Sequence, residues 1–288
     1  MTRTTLVTII YNPNSTGDGK KNARQLAREL EGTFHVTLTP TTHAGHAEEI
    51  ASGITAAGAP HIIVSSSGDG GYHEVVNGVL SHARHDHIVT AIIPSGNAND
   101  HYHALSDERS LAERIEQQDF TTIDVLLLKS PTLTRFAHSY IGFGVTPHIG
   151  EKLTAASLNP FNEVWIVLKN LFTVRPVKVS WRGHTERYDN LIFSNVEKMS
   201  KVIKLTDEAS FHDGKFEITA NKSRSIGGLI AHLLRASTIG LGTSRRAASL
   251  HFTLQRAAKV QLDGEVFDLP KDTRITVKTV PATLRCVA

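Results

Sequence analysis

At 288 residues the chain has room for about two domains of ordinary size, and its 40% hydrophobic and 20% charged residues are those of a soluble globular protein. A single cysteine, Cys286, excludes an internal disulfide and fits a reducing cytosol, and no stretch approaches the roughly 18 consecutive apolar residues of a membrane span. The net charge of +3 divides into −7 over residues 1–124 and +10 over residues 125–288. That asymmetry is either accidental or marks a basic part that faces anionic lipid headgroups. Low aromatic content and the lack of a recognition motif argue against nucleic acid.

The segment Leu6–Tyr11 reads as a first strand that turns at Asn12-Pro13, not as the apolar core of a signal peptide. The turn Asn12–Gly19 leads into a helix of about three turns with Ala23, Leu26, Ala27 and Leu30 on one face. Phe34–Thr39, His61–Ser66 and Ile88–Ile93 follow as strands; Ala47–Ala57, Tyr72–Ala83 and Leu105–Gln117 follow as helices. This alternation predicts an α/β domain with a parallel sheet over residues 1–123. Ligands of such sheets bind beyond the carboxyl ends of the strands, where the loops after Tyr11, Ser66 and Ile93 lie.

From about Thr122 the pattern becomes β-rich. Ile123–Lys129, Arg135–Phe143, Val177–Trp181, Asn190–Ser194, Lys215–Ala220, Ser249–Leu254, Lys259–Leu262 and Arg274–Lys278 are the expected strands. Two helices interrupt them, at about Phe161–Thr173 and Ile226–Ala236, and their apolar stripes (Leu233 and Leu234 among them) read as core rather than lipid-binding face. Residues 124–288 are the expected second domain, with a C-terminal tail that can return to the first.

Three loops and one late tripeptide carry the chemistry. The turn Asn12-Pro13-Asn14-Ser15 precedes a helix N-terminus. The second loop, Ser67-Gly68-Asp69-Gly70-Gly71, sits between a strand and a helix, so it joins backbone N–H groups and a helix dipole to an acid. Glu74 and Asn77 stand one and two turns into that helix. The third loop, Pro94-Ser95-Gly96-Asn97-Ala98-Asn99-Asp100, combines a glycine with amide and carboxylate side chains; Asn99-Asp100 taken alone reads equally well as a plain N-cap. Asp263-Gly264-Glu265 taken alone reads as a hairpin turn. Neither Gly-x4-Gly-Lys-Ser/Thr nor a Gly-x-Gly-x-x-Gly after a strand occurs. His82, His85, His87, His101 and His103 cluster without a metal-ligand spacing and read as exposed or loop histidines.

The ordered set Asn-Pro, Gly-Asp-Gly-x-x-x-Glu-Val-Val-Asn-Gly, Pro-x-Gly-x-x-Asn-Asp and Asp-Gly-Glu resembles the diacylglycerol kinase catalytic-domain superfamily of lipid kinases. The resemblance spans nearly the whole chain. It implies an α/β nucleotide domain of the type shared with NAD kinases and diacylglycerol kinases, a C-terminal β-sandwich, and ATP between them. It assigns Asn12 and Pro13 to a first nucleotide loop, Thr41 to a nucleotide contact, Ser67–Gly71 to the phosphate loop and Ser95, Gly96 and Asn97 to a second glycine loop. Glu74, Asn77, Asn99, Asp100, Asp263 and Gly264 complete the implied cofactor site. Glu265 matches the base of the bacterial branch and Asp69 that of the sphingoid branch. Asp213, in Ala209–Glu217, matches an element near a structural magnesium site. A loose phosphoryl transition state needs mainly positioning, Mg²⁺ and charge neutralisation, with a carboxylate to take the proton.

The departures concern Ser67 and Gly71, where the family usually has glycine and threonine, and Lys198–Lys204, which replaces a glycine-rich stretch. Thr146 and His148 stand where acids are common, which argues against a sphingoid amine. The expectation is an ATP- and Mg²⁺-dependent lipid kinase of the cytoplasm that meets its lipid at the inner membrane face through its basic second half. A homodimer stays open. The alternatives are an impaired nucleotide-binding regulator of the same fold and a soluble kinase of the NAD-kinase type.

Overall fold

The computed structural model describes residues 5–15, 18–148, 176–200, 203–222, 226–238, 240 and 244–288. The expected helix Phe161–Thr173 lies outside these residues. The chain forms two compact units: Met1–Val125 with Pro281–Ala288, and Leu126–Val280.

In the first unit, β1 (Leu6–Tyr11), β2 (His35–Pro40), β3 (His61–Ser67) and β4 (Ile88–Pro94) form a parallel sheet in the order β2-β1-β3-β4. β1, β3 and β4 are buried along most of their length, while the edge strand β2 stays largely exposed. One face packs on α1 (Gly19–Leu30) through Ala23, Leu26, Ala27 and Leu30, the stripe read from the 3.6-residue period. Next come α2 (His46–Ala56) and α3 (Asp69–Leu80). They pack closely because residue 78 is glycine: a Cβ there would lie 2.4 Å from the Glu48 carbonyl and 2.9 Å from Ala51 Cβ. The glycine that ends the Glu-Val-Val-Asn-Gly motif therefore serves helix packing.

Of the helix expected over Leu105–Gln117 only Leu111–Glu116 forms, as α5, and a shorter helix that was not expected, α4 (Asp100–Leu105), ends where it was to begin. Ser106 is extended, and Ser110 starts the new helix with a capping box, its hydroxyl accepting from Glu113 N–H while the Glu113 carboxylate accepts from Ser110 N–H. The C-terminal strand β18 (Arg274–Val287) adds Cys286 parallel to Thr90, and the Thr90 hydroxyl donates to the Arg285 carbonyl at 3.2 Å. Burial pushes the Cys286 thiol up to about 12, so it stays protonated and inert at neutral pH.

The second unit is antiparallel. β7 (Tyr140–Gly144), β10 (Asn190–Ser194), β13 (Phe216–Asn221), β14 (Arg245–Ala247), β16 (Ala258–Leu262) and β17 (Glu265–Leu269) form one sheet, in the order β14-β13-β10-β7-β16-β17. The first half of β18 pairs with β15 (Ser249–Leu254), which continues to β8 (Val177–Trp181) and β9 (His184–Tyr188). Phe143 and Phe193 of one sheet meet Phe252 of the other at 5.7 Å edge-on and 6.1 Å stacked, and Phe193 also meets Phe143 and Phe216 of its own sheet edge-on. The two sheets thus share one core, a β-sandwich, and each buried Phe contributes roughly 1.5–3 kcal/mol.

The strand expected over Arg135–Phe143 is not continuous. It is two, β6 (Thr134–Ala137) and β7, broken at His138-Ser139. The helix Ile226–Thr238, α6 here, leaves Leu234 60% exposed, so its stripe is not wholly core as expected. Among the described residues no helix is long and apolar enough to cross a membrane.

Candidate functional site

In the first unit the register sets Tyr11 beside Ser66 and Ser67 beside Pro94, so the turns after β1, β3 and β4 leave the same sheet edge. From β1 the chain crosses to β2 on one side, and from β3 to β4 on the other, so the strand order switches between β1 and β3. That is where open α/β sheets hold ligands. The Asn12 carboxamide accepts the Asn14 N–H at 2.9 Å, and Thr41 N–H donates to the Tyr11 carbonyl at 2.8 Å. Asn12, Pro13 and Thr41 therefore share this edge with the two glycine loops.

Those loops touch backbone to backbone. A Cβ on Gly96 would lie 2.4 Å from Gly68 Cα, and one on Gly68 would lie 3.0 Å from Gly96 Cα. Ser95 N–H donates to the Ser67 carbonyl at 3.0 Å. Asn99, at φ 55°, clasps Gly96 from both sides, accepting its N–H at 3.0 Å and donating to its carbonyl at 2.9 Å. Behind them Ser66 Oγ donates to the Gly19 carbonyl at 2.7 Å, and Asn22 Nδ2 donates to Ser95 Oγ at 3.2 Å. These bonds tie the start of α1 to the ends of β3 and β4. Gly96→Ala is expected to push the loops apart at a cost of about 1–3 kcal/mol. Thermal melting and ATP titration should both register that loss.

The helix itself offers no acceptor to the N–H groups of Asp69, Gly70 and Gly71, which open α3 with its dipole positive toward the loop. A Cβ on Gly71 would lie 2.6 Å from both Cβ and Oγ of Ser67. Glycine at 71 thus leaves the room that Ser67 fills. The Ser67 hydroxyl lies 2.7 Å from Ser65 Oγ and donates to the Gly68 carbonyl at 2.9 Å, so the loop retains a hydroxyl supplied from the strand.

Several residues singled out in the sequence hold other loops in place. Asp69 is 8% exposed, and its carboxylate accepts the N–H groups of Asp100 at 3.1 Å and His101 at 3.2 Å. The cap of α4 is therefore Asp69 and not the side chain of Asn99. Asp100 is buried; Asn97 is exposed. Glu74 accepts Gly45 N–H at 2.9 Å and Ala47 N–H at 3.1 Å, which caps α2. Asn77 Nδ2 donates to the His73 carbonyl at 2.9 Å. Of the clustered histidines, His85 bonds the His82 and Thr283 carbonyls and His87 the Thr55 carbonyl. His101, expected exposed or in a loop, is buried in α4 with its ring 4.8 Å from that of Tyr72.

In the second unit Asp263-Gly264 is the two-residue turn of a hairpin, with Leu262 opposite Glu265 and φ of 48° and 103°. Two positive φ values match the right-handed twist of the flanking strands, which explains the Asp-Gly pair. The Asp263 carboxylate is 0% exposed and accepts N–H groups from His138 at 2.7 Å and from Ser139 and Tyr140 at 2.9 Å. This is what breaks β6 from β7. Glu265, two residues on, is exposed. Thr146 is buried and its hydroxyl donates to Asn190 Oδ1 at 2.9 Å.

Asp213 does not suit the structural metal that the resemblance implies. Its carboxylate pairs with the Arg246 guanidinium and accepts the Lys215 N–H at 3.0 Å. Among the described residues no three His, Cys, Asp or Glu side chains are grouped to hold an ion. Arg246 Nε also lies 2.9 Å from Glu217 Oε1, though not aligned for a hydrogen bond. Sequence reading passed over Arg246, because only the pairing of β13 with β14 sets it opposite Glu217.

Burial pushes the Glu217 carboxyl from 4.5 up to about 7; Arg246 pulls it down and Asp213 pushes it up. The folded state then holds a proton that the unfolded chain releases near pH 4.5, so this contribution to stability is full below that pH and is lost as pH rises toward 7. Glu217→Gln is expected to flatten the melting temperature between pH 5 and 7 relative to the parent chain.

A cavity of about 690 Å³ also lies within the second unit, walled by Val179, Trp181, Leu191, Leu250 and Phe252. Lys222, Arg235, Arg245 and Glu186 also line it. Lys222 Nζ lies 2.8 Å from Glu186, which also accepts the Tyr188 hydroxyl; burial and that bond push the Tyr188 phenol up to about 12.

Residues 6–128, which carry all three loops at the sheet edge, match the family of the diacylglycerol kinase catalytic domain. Over 140 residues the chain is 32% identical to Sphingosine kinase B of Dictyostelium discoideum, a match that spans 44% of this chain and 18% of that relative. A diacylglycerol kinase structure from Bacillus anthracis str. Sterne superposes with a TM-score of 0.72 at 20% identity, covering 100% of this chain and 98% of that one. A second structure from the same strain gives 0.74 at 20% identity with the same coverage. The fold of the diacylglycerol kinases therefore extends across both units, while the family match is confined to the first half.

Proposed function

We propose that the chain is a lipid kinase that uses ATP and Mg²⁺ to phosphorylate a lipid hydroxyl. The observation that carries this is the contact of Gly68 with Gly96, which brings the backbones of two glycine loops together beside the strand-order switch, on residues that match the diacylglycerol kinase catalytic domain. Bound ATP would supply the phosphoryl group, and its Mg²⁺ the counter-charge. The N–H groups of Gly70 and Gly71 would donate to its phosphate oxygens, and Asn12, Pro13, Thr41, Ser95 and Asn97 would border the nucleotide. Asp69 holds the loop in shape through Asp100 and His101, so Glu265, the exposed carboxylate, is the base that takes the acceptor's proton.

The cavity in the second unit supports an acyl chain as part of the acceptor, and its arginines support approach to an anionic surface. Thr146, neutral and bonded to Asn190, supports an acceptor without an amine. The test incubates purified protein with labelled ATP and a panel of diacylglycerols, sphingoid bases and NAD, with product mass analysis. A phosphorylated glycerolipid is the expected product. Tight ATP binding with no product across the panel would instead favour a regulator, and phosphorylated NAD a soluble kinase.

A further inference from the structure

We propose that Arg246 is a built-in cation of the second unit, which holds together the oxygens where the family resemblance places a magnesium ion. Arg246 lies on β14 opposite Glu217 of β13. Its Nη2 donates to Asp213 Oδ2 and, at 3.2 Å, to the Glu208 carbonyl, while Nε lies 2.9 Å from Glu217 Oε1. Two carboxylates and a carbonyl are the hard oxygens that a divalent ion takes. Here the planar guanidinium donates to Asp213 and to the Glu208 carbonyl and sets its charge against Glu217. A dication in the same place would stand within contact distance of a fixed positive charge, which opposes its entry.

The arrangement also has a structural task. Glu208, Asp213 and Glu217 belong to the segment that leads from Thr206 into β13, and Gly214 at φ 69° turns it. Arg246 gathers that segment onto the sheet edge and balances Glu217, which is 1% exposed. The second unit therefore reaches full stability without a metal, and any magnesium requirement of the protein belongs to a bound nucleotide. This does not depend on the kinase reading.

The experiment uses nucleotide-free full-length protein. Mn²⁺ binding is followed by electron paramagnetic resonance, and melting is measured in EDTA and in millimolar Mg²⁺. The parent chain should bind no Mn²⁺ at this locus and melt within about 1 °C in the two buffers. Arg246→Ala, which leaves Asp213 and the buried Glu217 without their cation, should melt roughly 10 °C lower in EDTA, regain part of that loss in Mg²⁺ and bind one Mn²⁺. Asp213→Asn added to Arg246→Ala should abolish the regain. If Arg246→Ala does not fold, the paired Arg246→Met, Glu217→Gln variant removes both charges and should fold and melt independently of metal. One Mn²⁺ bound by the parent chain and lost on Asp213→Asn overturns the proposal, as does an Arg246→Ala chain as stable as the parent. Failure of Mg²⁺ to restore any stability to a folded Arg246→Ala also counts against it, because the oxygens would then not form a cation site.

Discussion

Glu265→Gln is expected to cut lipid phosphorylation by about 100- to 10,000-fold while the melting temperature stays within about 1 °C of the parent. Gln keeps the size of the side chain but cannot accept a proton at neutral pH. Glu265 is exposed at the first position of β17, so the fold loses nothing by the change. The loss should fall on kcat, with the KM for ATP little changed, because the carboxylate acts on the acceptor and not on the nucleotide. Asp69→Asn is the informative comparison, since the amide would set a donor against the N–H of Asp100 or His101. Equal activity of Glu265→Gln and the parent would remove Glu265 from the role of base.

Two residues earlier the outcome reverses. Asp263→Ala is expected to destabilise the second unit by about 4 kcal/mol, a fall of roughly 10 °C in melting temperature. The substitution leaves the N–H groups of His138, Ser139 and Tyr140 buried with their acceptor gone, each costing about 1–3 kcal/mol before relaxation. Asp263→Asn keeps one acceptor oxygen and should fall between. Denaturant melts followed by intrinsic fluorescence will separate the variants. A folded, parent-like Asp263→Ala would show that the loop finds other partners. The Asp-Gly-Glu tripeptide thus divides into an acid that builds the fold and an acid offered to chemistry.

Much of this was legible in the residues. Leu6–Tyr11, Val177–Trp181, Asn190–Ser194 and Ser249–Leu254 are strands with the bounds that apolar runs and turn residues predict. Gly68 and Asp69 stand at a strand-to-helix turn, as their types require. The break between α4 and α5 was also written locally, in Ser110 and Glu113, but the apolar spacing on either side masked it. Local patterns report backbone preference and periodicity, and those follow from neighbours a few positions away.

The chain order of the motifs and the alternation of strands with helices determined by themselves an α/β domain followed by a β-rich one, and the resemblance of the first to the diacylglycerol kinase catalytic domain. Only the tertiary structure decided what each polar residue does. Asp69, read as a candidate base, and Glu74, read as part of the nucleotide site, hold helix ends 31 and 29 residues away; Asp263 reaches 125 residues back to His138, and Arg246 takes the carboxylate read as a metal ligand. A carboxylate in a phosphate loop and one that caps a distant helix have the same local sequence. They differ in which donors the fold brings within hydrogen-bond distance, and that is a property of strand pairing and helix packing.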